Sequence, residues 1–118
     1  MKYALLIHDD EKSWGSLPPN EMAARMQEYE KYANGLVEKG QMRGGEQLQP
    51  TATATTIRQK DGKTLTTDGP YAETKEQLGG FFLIECQNLD EAIEAASAIP
   101  SVKYGGIVEV RPIFEEHE

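Results

Sequence analysis

Two stretches of this chain carry a helical apolar stripe, and four short β-prone runs flank them. Met22, Met26, Tyr29, Ala33 and Leu36 recur at steps of four and three, and Val37 widens the stripe. Leu89, Ala92, Ile93, Ala96 and Ile99 form the second stripe. Pro18-Pro19 or Asn20 opens the first helix, because proline is tolerated in a first turn. Gly40 suits the position after its end, and Lys39 suits the negative pole of the helix. Asn88 and Glu91 have capping-box spacing, and Pro100 marks the stop of the second helix. Residues 3–7, 42–49, 81–86 and 107–113 are predicted as strands, with 14–19 as a loop. Gly44-Gly45 inside the second strand predicts a bulge or a close backbone approach.

Between the second and third strands lies a different kind of segment. Residues 51–60 are rich in threonine, Asp61-Gly62 follows, and residues 63–67 continue the pattern. Asp-Gly between β-prone arms is a strong hairpin signal. Both arms are polar on both faces, so this hairpin is expected at the periphery. Asp68-Gly69-Pro70 then makes a turn, and residues 72–77 are expected to form one helical turn. The order predicts an α+β fold over residues 1–118 as a single domain. It is a ferredoxin-like βαββαβ with an inserted β-hairpin. Two helices cover one sheet face, so the other face is expected to be buried by a second copy of the chain, a homodimer. In the last strand Val108 and Val110 should meet the helices, while Glu109 and Arg111 point into the space between sheet and partner.

Charge and composition remove several function classes. The chain has 118 residues with 12 basic and 20 acidic side chains, a formal net charge of -8. Phosphate-rich partners need a basic footprint, so neither nucleic acid nor an anionic membrane is an expected partner. One cysteine, Cys86, excludes an internal disulfide framework and a thiolate zinc site. Two histidines far apart in sequence give no metal-ligand spacing, and no cofactor is expected, although carboxylates alone could hold a weak divalent cation. The apolar run at residues 3–7 meets His8-Asp9-Asp10-Glu11 at once. It is too short for a signal segment or a membrane span, and the expected location is the cytoplasm. The glycine pairs have the wrong spacing for a phosphate loop, and no nucleophile elbow is present. The tail, residues 115–118, is expected to fray.

The candidate catalytic residues are His8 and Asp68. His8 beside Asp9 and Asp10 could shuttle protons near neutral pH, or could be a strand-end histidine without chemistry. Asp68 could be a general base, or could bond its own backbone in the turn. Candidate ligand-binding residues are Tyr71, Glu73, Lys75, Glu109 and Arg111. Tyr71 could stack on a ligand or pack under its loop. Glu73 and Lys75 form a polar rim or a solvated turn. Glu109 and Arg111 make a structural ion pair or, through the guanidinium fork, a carboxylate site. Arg43 and Glu46 have the same two readings. Met22, Met26 and Tyr29 are expected in the core, and Cys86, inside a strand beside Glu85, is expected to be inert.

The segment Asp68-Gly69-Pro70-Tyr71-Ala72-Glu73-Thr74-Lys75-Glu76-Gln77-Leu78-Gly79-Gly80-Phe81 closely resembles the signature of the YCII-related family, in its DGPF-domain branch. That branch normally has phenylalanine where this chain has Tyr71. Residues 1–7, 44–56 and 105–112 resemble the family's opening, middle and closing sections. The resemblance implies a dimeric α+β barrel, in which two ferredoxin-like subunits press their sheets together. It implies either of two functions. One is a small-ligand-binding or accessory protein, with a sigma factor as a possible partner. The other is a cofactor-free lyase or isomerase on a small cyclic or aromatic-derived acid. The acid/base histidine proposed for enzymatic relatives belongs to the first helical region. Residues 14–39 hold no histidine, so no role passes to His8 by position.

Overall fold

A computed structural model gives the fold and describes residues 1–115. The fraying expected of the tail therefore concerns mainly residues 116–118, outside the described residues. Four strands build the main sheet: β1 (Lys2–Asp9), β2 (Met42–Gln47), β5 (Gln77–Glu85) and β6 (Ile107–Pro112). Their order across the sheet is β2-β5-β1-β6, with every neighbouring pair antiparallel. That order, with helices between β1 and β2 and between β5 and β6, is compatible with the ferredoxin-like arrangement. A separate two-stranded sheet, β3 (Thr55–Lys60) with β4 (Lys63–Asp68), is the inserted hairpin. Its turn is built from Asp61 and Gly62, with φ of 52° and 76°, the left-handed pair that a two-residue hairpin turn requires.

The helices are α1 (Glu11–Gly15), α2 (Pro19–Glu38), α3 (Leu89–Ser97) and α4 (Pro100–Lys103). Helix α1 occupies part of the segment expected to be a loop. Asp10 makes it possible, because its carboxylate accepts the Lys12 amide at 3.0 Å and caps the turn. Pro19 is the first residue of α2, and Gly40 follows its end with φ of 70°. Asn88 caps α3 by accepting the Glu91 amide at 3.0 Å, while Glu91 reaches back to the amide of Gln87 and not to that of Asn88. Pro100 both ends the α3 region and opens α4. Residues 72–76 form no helical turn. Gln77 pairs with Asp9 of β1, so β5 begins early and draws the chain into the sheet.

Tyr3, Leu5 and Ile7 alternate onto the helix-covered face and are buried. Ile84 and Cys86 join them from β5 and its end, and Leu36, Ala92, Ala96 and Ile99 close over them. Fully burying a side chain such as Leu5 or Ile84 stabilises the fold by about 1.5–3 kcal/mol. Val108 and Val110 pack against this core, as expected from their alternation. Ala4, Leu6 and His8 take the opposite face with Phe81, Leu83, Glu109 and Arg111, which sit opposite or beside them in the ladder. Among the described residues the helices pack on the Tyr3–Leu5–Ile7 side, and this second face is the open face of the sheet.

Gly44-Gly45 serves both of its expected purposes. The register between β2 and β5 shifts between Met42 and Gly44, which is a bulge at Arg43. A Cβ at Gly45 would come within 2.9 Å of the Phe81 carbonyl oxygen, and one at Gly80 within 2.9 Å of that of Glu46. Glycine at both positions lets the two backbones approach.

Candidate functional site

A cavity of about 680 Å³ lies between α2 and the β2–β5–β1 part of the helix-covered face. That volume suits a small organic molecule. Its walls are apolar: Trp14 from α1, Met22, Met26 and Ala33 from α2, Ile7 and Phe82 from the sheet. The floor is bare because Gly45, Gly79 and Gly80 carry no side chains there. Met22 and Met26 are therefore cavity walls and not the closed core expected of them. Met26 is 44% exposed, whereas Leu36, later on the same stripe, is 3% exposed. Methionine suits such a wall because its unbranched thioether adapts to irregular space.

Polar groups converge at one end of this cleft. Ser101 is fully buried, and its hydroxyl donates to Asp9 Oδ2 at 3.0 Å. Tyr29 Oη is bonded to Ser101 Oγ. Ser101 has one hydroxyl proton and gives it to Asp9, so Tyr29 must be the donor in the second bond. The protons of both hydroxyls thus point along a chain that ends at the Asp9 carboxylate. Burial pushes the Tyr29 phenol above its ordinary value; the Ser101 bond opposes this, and the Asp9 charge adds to the rise. The network fixes a neighbour too. A Cβ at Gly106 would overlap Asp9 Oδ1 and press on Ser101, so glycine at 106 makes room for the carboxylate. Asp9 and Tyr29 both border the cleft.

The mouth is tied together by Glu11 and Gln77. The Glu11 carboxylate accepts the Thr51 amide at 2.7 Å and its hydroxyl at 2.9 Å. Gln77 Oε1 accepts the Glu11 amide at 3.2 Å, and Gln77 Nε2 donates to the Thr74 carbonyl at 2.7 Å. Thus α1, the turn after β2 and the start of β5 are pinned at one place. Trp14 and Tyr29 rings lie 6.2 Å apart, and the Arg25 guanidinium lies 5.1 Å from the Trp14 ring and 3.7 Å from that of Tyr104. At the inner wall Tyr32 meets Phe82 edge to face at 5.3 Å and donates to the Ala95 carbonyl at 2.6 Å. Burial, and then Tyr29, raise the Tyr32 phenol as well.

None of the seven candidate residues named from the sequence lines this cleft. His8 is half-buried on the open face, paired with Leu78 and Ile107. Glu109 and Arg111 share that face and form an ion pair at 2.8 Å. So these three are brought to one surface, away from the cleft. Asp68 ends β4 opposite Thr55 in the hairpin and is exposed, as are Tyr71, Glu73 and Lys75 in the following turn. Arg43 pairs with Glu85 at 3.1 Å. Glu46 pairs with Phe81 in the ladder, so its side chain shares the open face and it meets the cleft through its backbone. Among the described residues, no three His, Cys, Asp or Glu side chains are grouped to hold a metal ion. Burial raises the Cys86 thiol, which keeps it protonated.

The residues that sequence reasoning passed over are Asp9, Tyr29, Ser101 and Gln77. Asp9 had a signal in its period: it lies one position from His8 and on the same face as Ile7. Gln77 sits inside the fourteen-residue signature, and it is the signature's polar side chain that reaches the cleft. Ser101 had no local signal, because its partners are 72 and 92 residues away.

The antiparallel sheet, its two covering helices and the cleft beneath α2 define a small α+β domain of a recognised class. The chain belongs to the YCII-related family, whose model matches residues 1–117. It is 40% identical over 117 residues to an uncharacterised protein of Rhizobium meliloti (strain 1021), covering 96% of this chain and 92% of that one.

Proposed function

We propose that this protein binds a small organic molecule in the cleft under α2 and works as a homodimer through its open face. The cleft itself carries the binding reading: apolar walls, a glycine floor and a few polar groups at its ends are what a specific small-molecule site needs. The open face supports the pairing. Leu6, Phe81 and Leu83 form an apolar stripe down its centre, with Leu78 and Ile107 38% and 52% exposed beside it. The radius of gyration is 16.4 Å, against about 13–14 Å for a compact chain of this length. A second copy covering that face would complete an α+β barrel and place the Glu109–Arg111 pair at its rim.

A fragment screen by thermal shift tests the binding reading. A ligand at a hundred times its Kd stabilises by about 2.7 kcal/mol. Hits should raise Tm of the unmodified protein and lose that effect in Ala33→Trp, which fills the cleft. Hits that stabilise both equally would place binding elsewhere. For the pairing, Leu6→Asp should sediment as a monomer while the unmodified chain sediments as a dimer. A monomeric unmodified chain ends the pairing claim.

The Tyr29–Ser101–Asp9 chain favours a second reading, a cofactor-free isomerase. Asp9 would take a proton from a substrate carbon and return it at a neighbouring atom, with the hydroxyl chain holding its charge in place. Asp9→Asn should then abolish turnover of an active substrate without shifting Tm in proportion. Unaltered turnover would remove Asp9 from the chemistry.

A further inference from the structure

We infer that the cleft selects a ligand with a flat apolar body and a cationic or N–H-rich head, and rejects the corresponding carboxylate. This rests on the cleft being the binding site. Three observations carry it together. First, among the described residues no lysine, arginine or histidine lines the cleft, while Asp9 and Glu30 do, in addition to Glu11, which is committed to Thr51. Arg25 stacks over the Trp14 and Tyr104 rings and is not among the residues that line the cleft.

Second, the hydroxyl protons at the polar end are already assigned. Tyr29 donates to Ser101 and Ser101 donates to Asp9, so the phenol presents only lone pairs. Ser101 bonds Asp9 at Oδ2 and Oδ1 lies against Gly106, so Asp9 borders the cleft as an acceptor with no ion-pair partner among the described residues. A ligand head placed there must donate. An anion would meet a carboxylate and an oxygen without a free proton, and would be desolvated with no counter-charge. Third, the walls are flat and polarizable: Trp14, Phe82 and two methionines. Such walls accept an aromatic body, and aromatic faces attract cations.

The test uses three probes with one bicyclic body: tryptamine, tryptophol and indole-3-acetate. Each is titrated into the full chain and followed by calorimetry. Tryptamine should bind tightest, with tryptophol between, and about tenfold or more should separate tryptamine from indole-3-acetate. Asp9→Asn should narrow that gap, mostly by weakening tryptamine. Glu30→Gln should narrow it less. Ala33→Trp should remove binding of all three, with Met22→Trp as a second filled cleft if the first variant loses its far-ultraviolet circular dichroism.

Indole-3-acetate binding as tightly as tryptamine overturns the inference and leaves cleft binding standing. So does a set of fragment hits that fail on Ala33→Trp while none of the three indoles binds. If no fragment and no indole distinguishes the filled cleft from the open one, the inference and the binding reading fall together.

Discussion

The helix-covered face of the sheet has a solid half and a hollow half. Under α3, alanines at 92 and 96 let the helix settle close to the sheet. There Tyr3, Leu5, Ile84 and Ile99 are at most 1% exposed. Under the first half of α2 the large side chains Met22, Met26 and Trp14 stand off the sheet, and Gly45, Gly79 and Gly80 give them nothing to pack against. Large residues over glycine leave a cavity, and small residues over large ones fill it. A cavity of this size costs stability unless something occupies it, since its lining lacks contacts on one side. The two halves share strands and one continuous β1, so the contrast comes from side-chain choice and not from topology.

Truncation separates the halves most sharply. Leu5→Ala in the solid half should destabilise by about 2–5 kcal/mol. Met26→Ala in the hollow half should cost less than about 1 kcal/mol, because a half-exposed wall residue leaves little new void. Urea unfolding of both variants checks the pair. Equal losses would mean that the cleft is closed in solution.

The polar end of the cleft comes next. Ser101→Ala strands the Asp9 and Tyr29 groups that it bridges, and should cost about 1–3 kcal/mol. Gly106→Ala pushes on the same carboxylate and should fall in a similar range, about 1–3 kcal/mol. Tyr29→Phe is milder at neutral pH and has a pH signature. The phenol's folded value is raised above the ordinary 10.0. A raised value means its stabilising share is complete below pH 10.0 and lost as pH climbs through the folded value. Tyr29→Phe should therefore flatten the alkaline loss of stability, read as urea midpoints on either side of that pH. A loss as steep as that of the unmodified protein would show that the phenol is not buried as described.

Both amphipathic stripes, the strand sequence and the Asp61-Gly62 turn were legible because each is a local pattern with one structural solution. The valines of β6 showed their face for the same reason. The cleft was not legible. Met22, Met26 and Tyr29 have the period of core residues, and period alone does not say whether the opposite wall is leucine or glycine. His8 and the charged part of the signature are the residue types that most often carry chemistry, and here they lie outside the cleft. The alternation of β1 turns His8 away from the helices and turns Asp9, with its carboxylate, toward them. The helix at Glu11 hid behind a weak apolar pattern, and its cap at Asp10 was the available clue. What could not be read locally was Ser101, whose role exists only when both ends of the chain meet.

The smallest expected effect lies on the outside of the hollow half, where Glu28 of α2 meets Lys103 of α4 at 2.7 Å and accepts the Tyr104 hydroxyl at 2.6 Å. The Lys103 bond, and then the Tyr104 bond, hold the Glu28 carboxyl below its ordinary 4.5, and Glu28 in turn holds Lys103 above its ordinary 10.5. A lowered carboxyl stabilises above pH 4.5 and stops doing so as pH falls through the folded value. A raised ammonium stabilises below pH 10.5 and stops as pH rises through its own. The pair is exposed, so the effect should be slight and screened by salt. Lys103→Met should lower the urea midpoint slightly at pH 7, and the gap should shrink as pH falls progressively below 4.5 and should close in strong salt. A gap that neither acid nor strong salt reduces would mean that the lysine acts through the packing of its stem against the Tyr104 ring, and that α4 is held to α2 by contact instead of by charge.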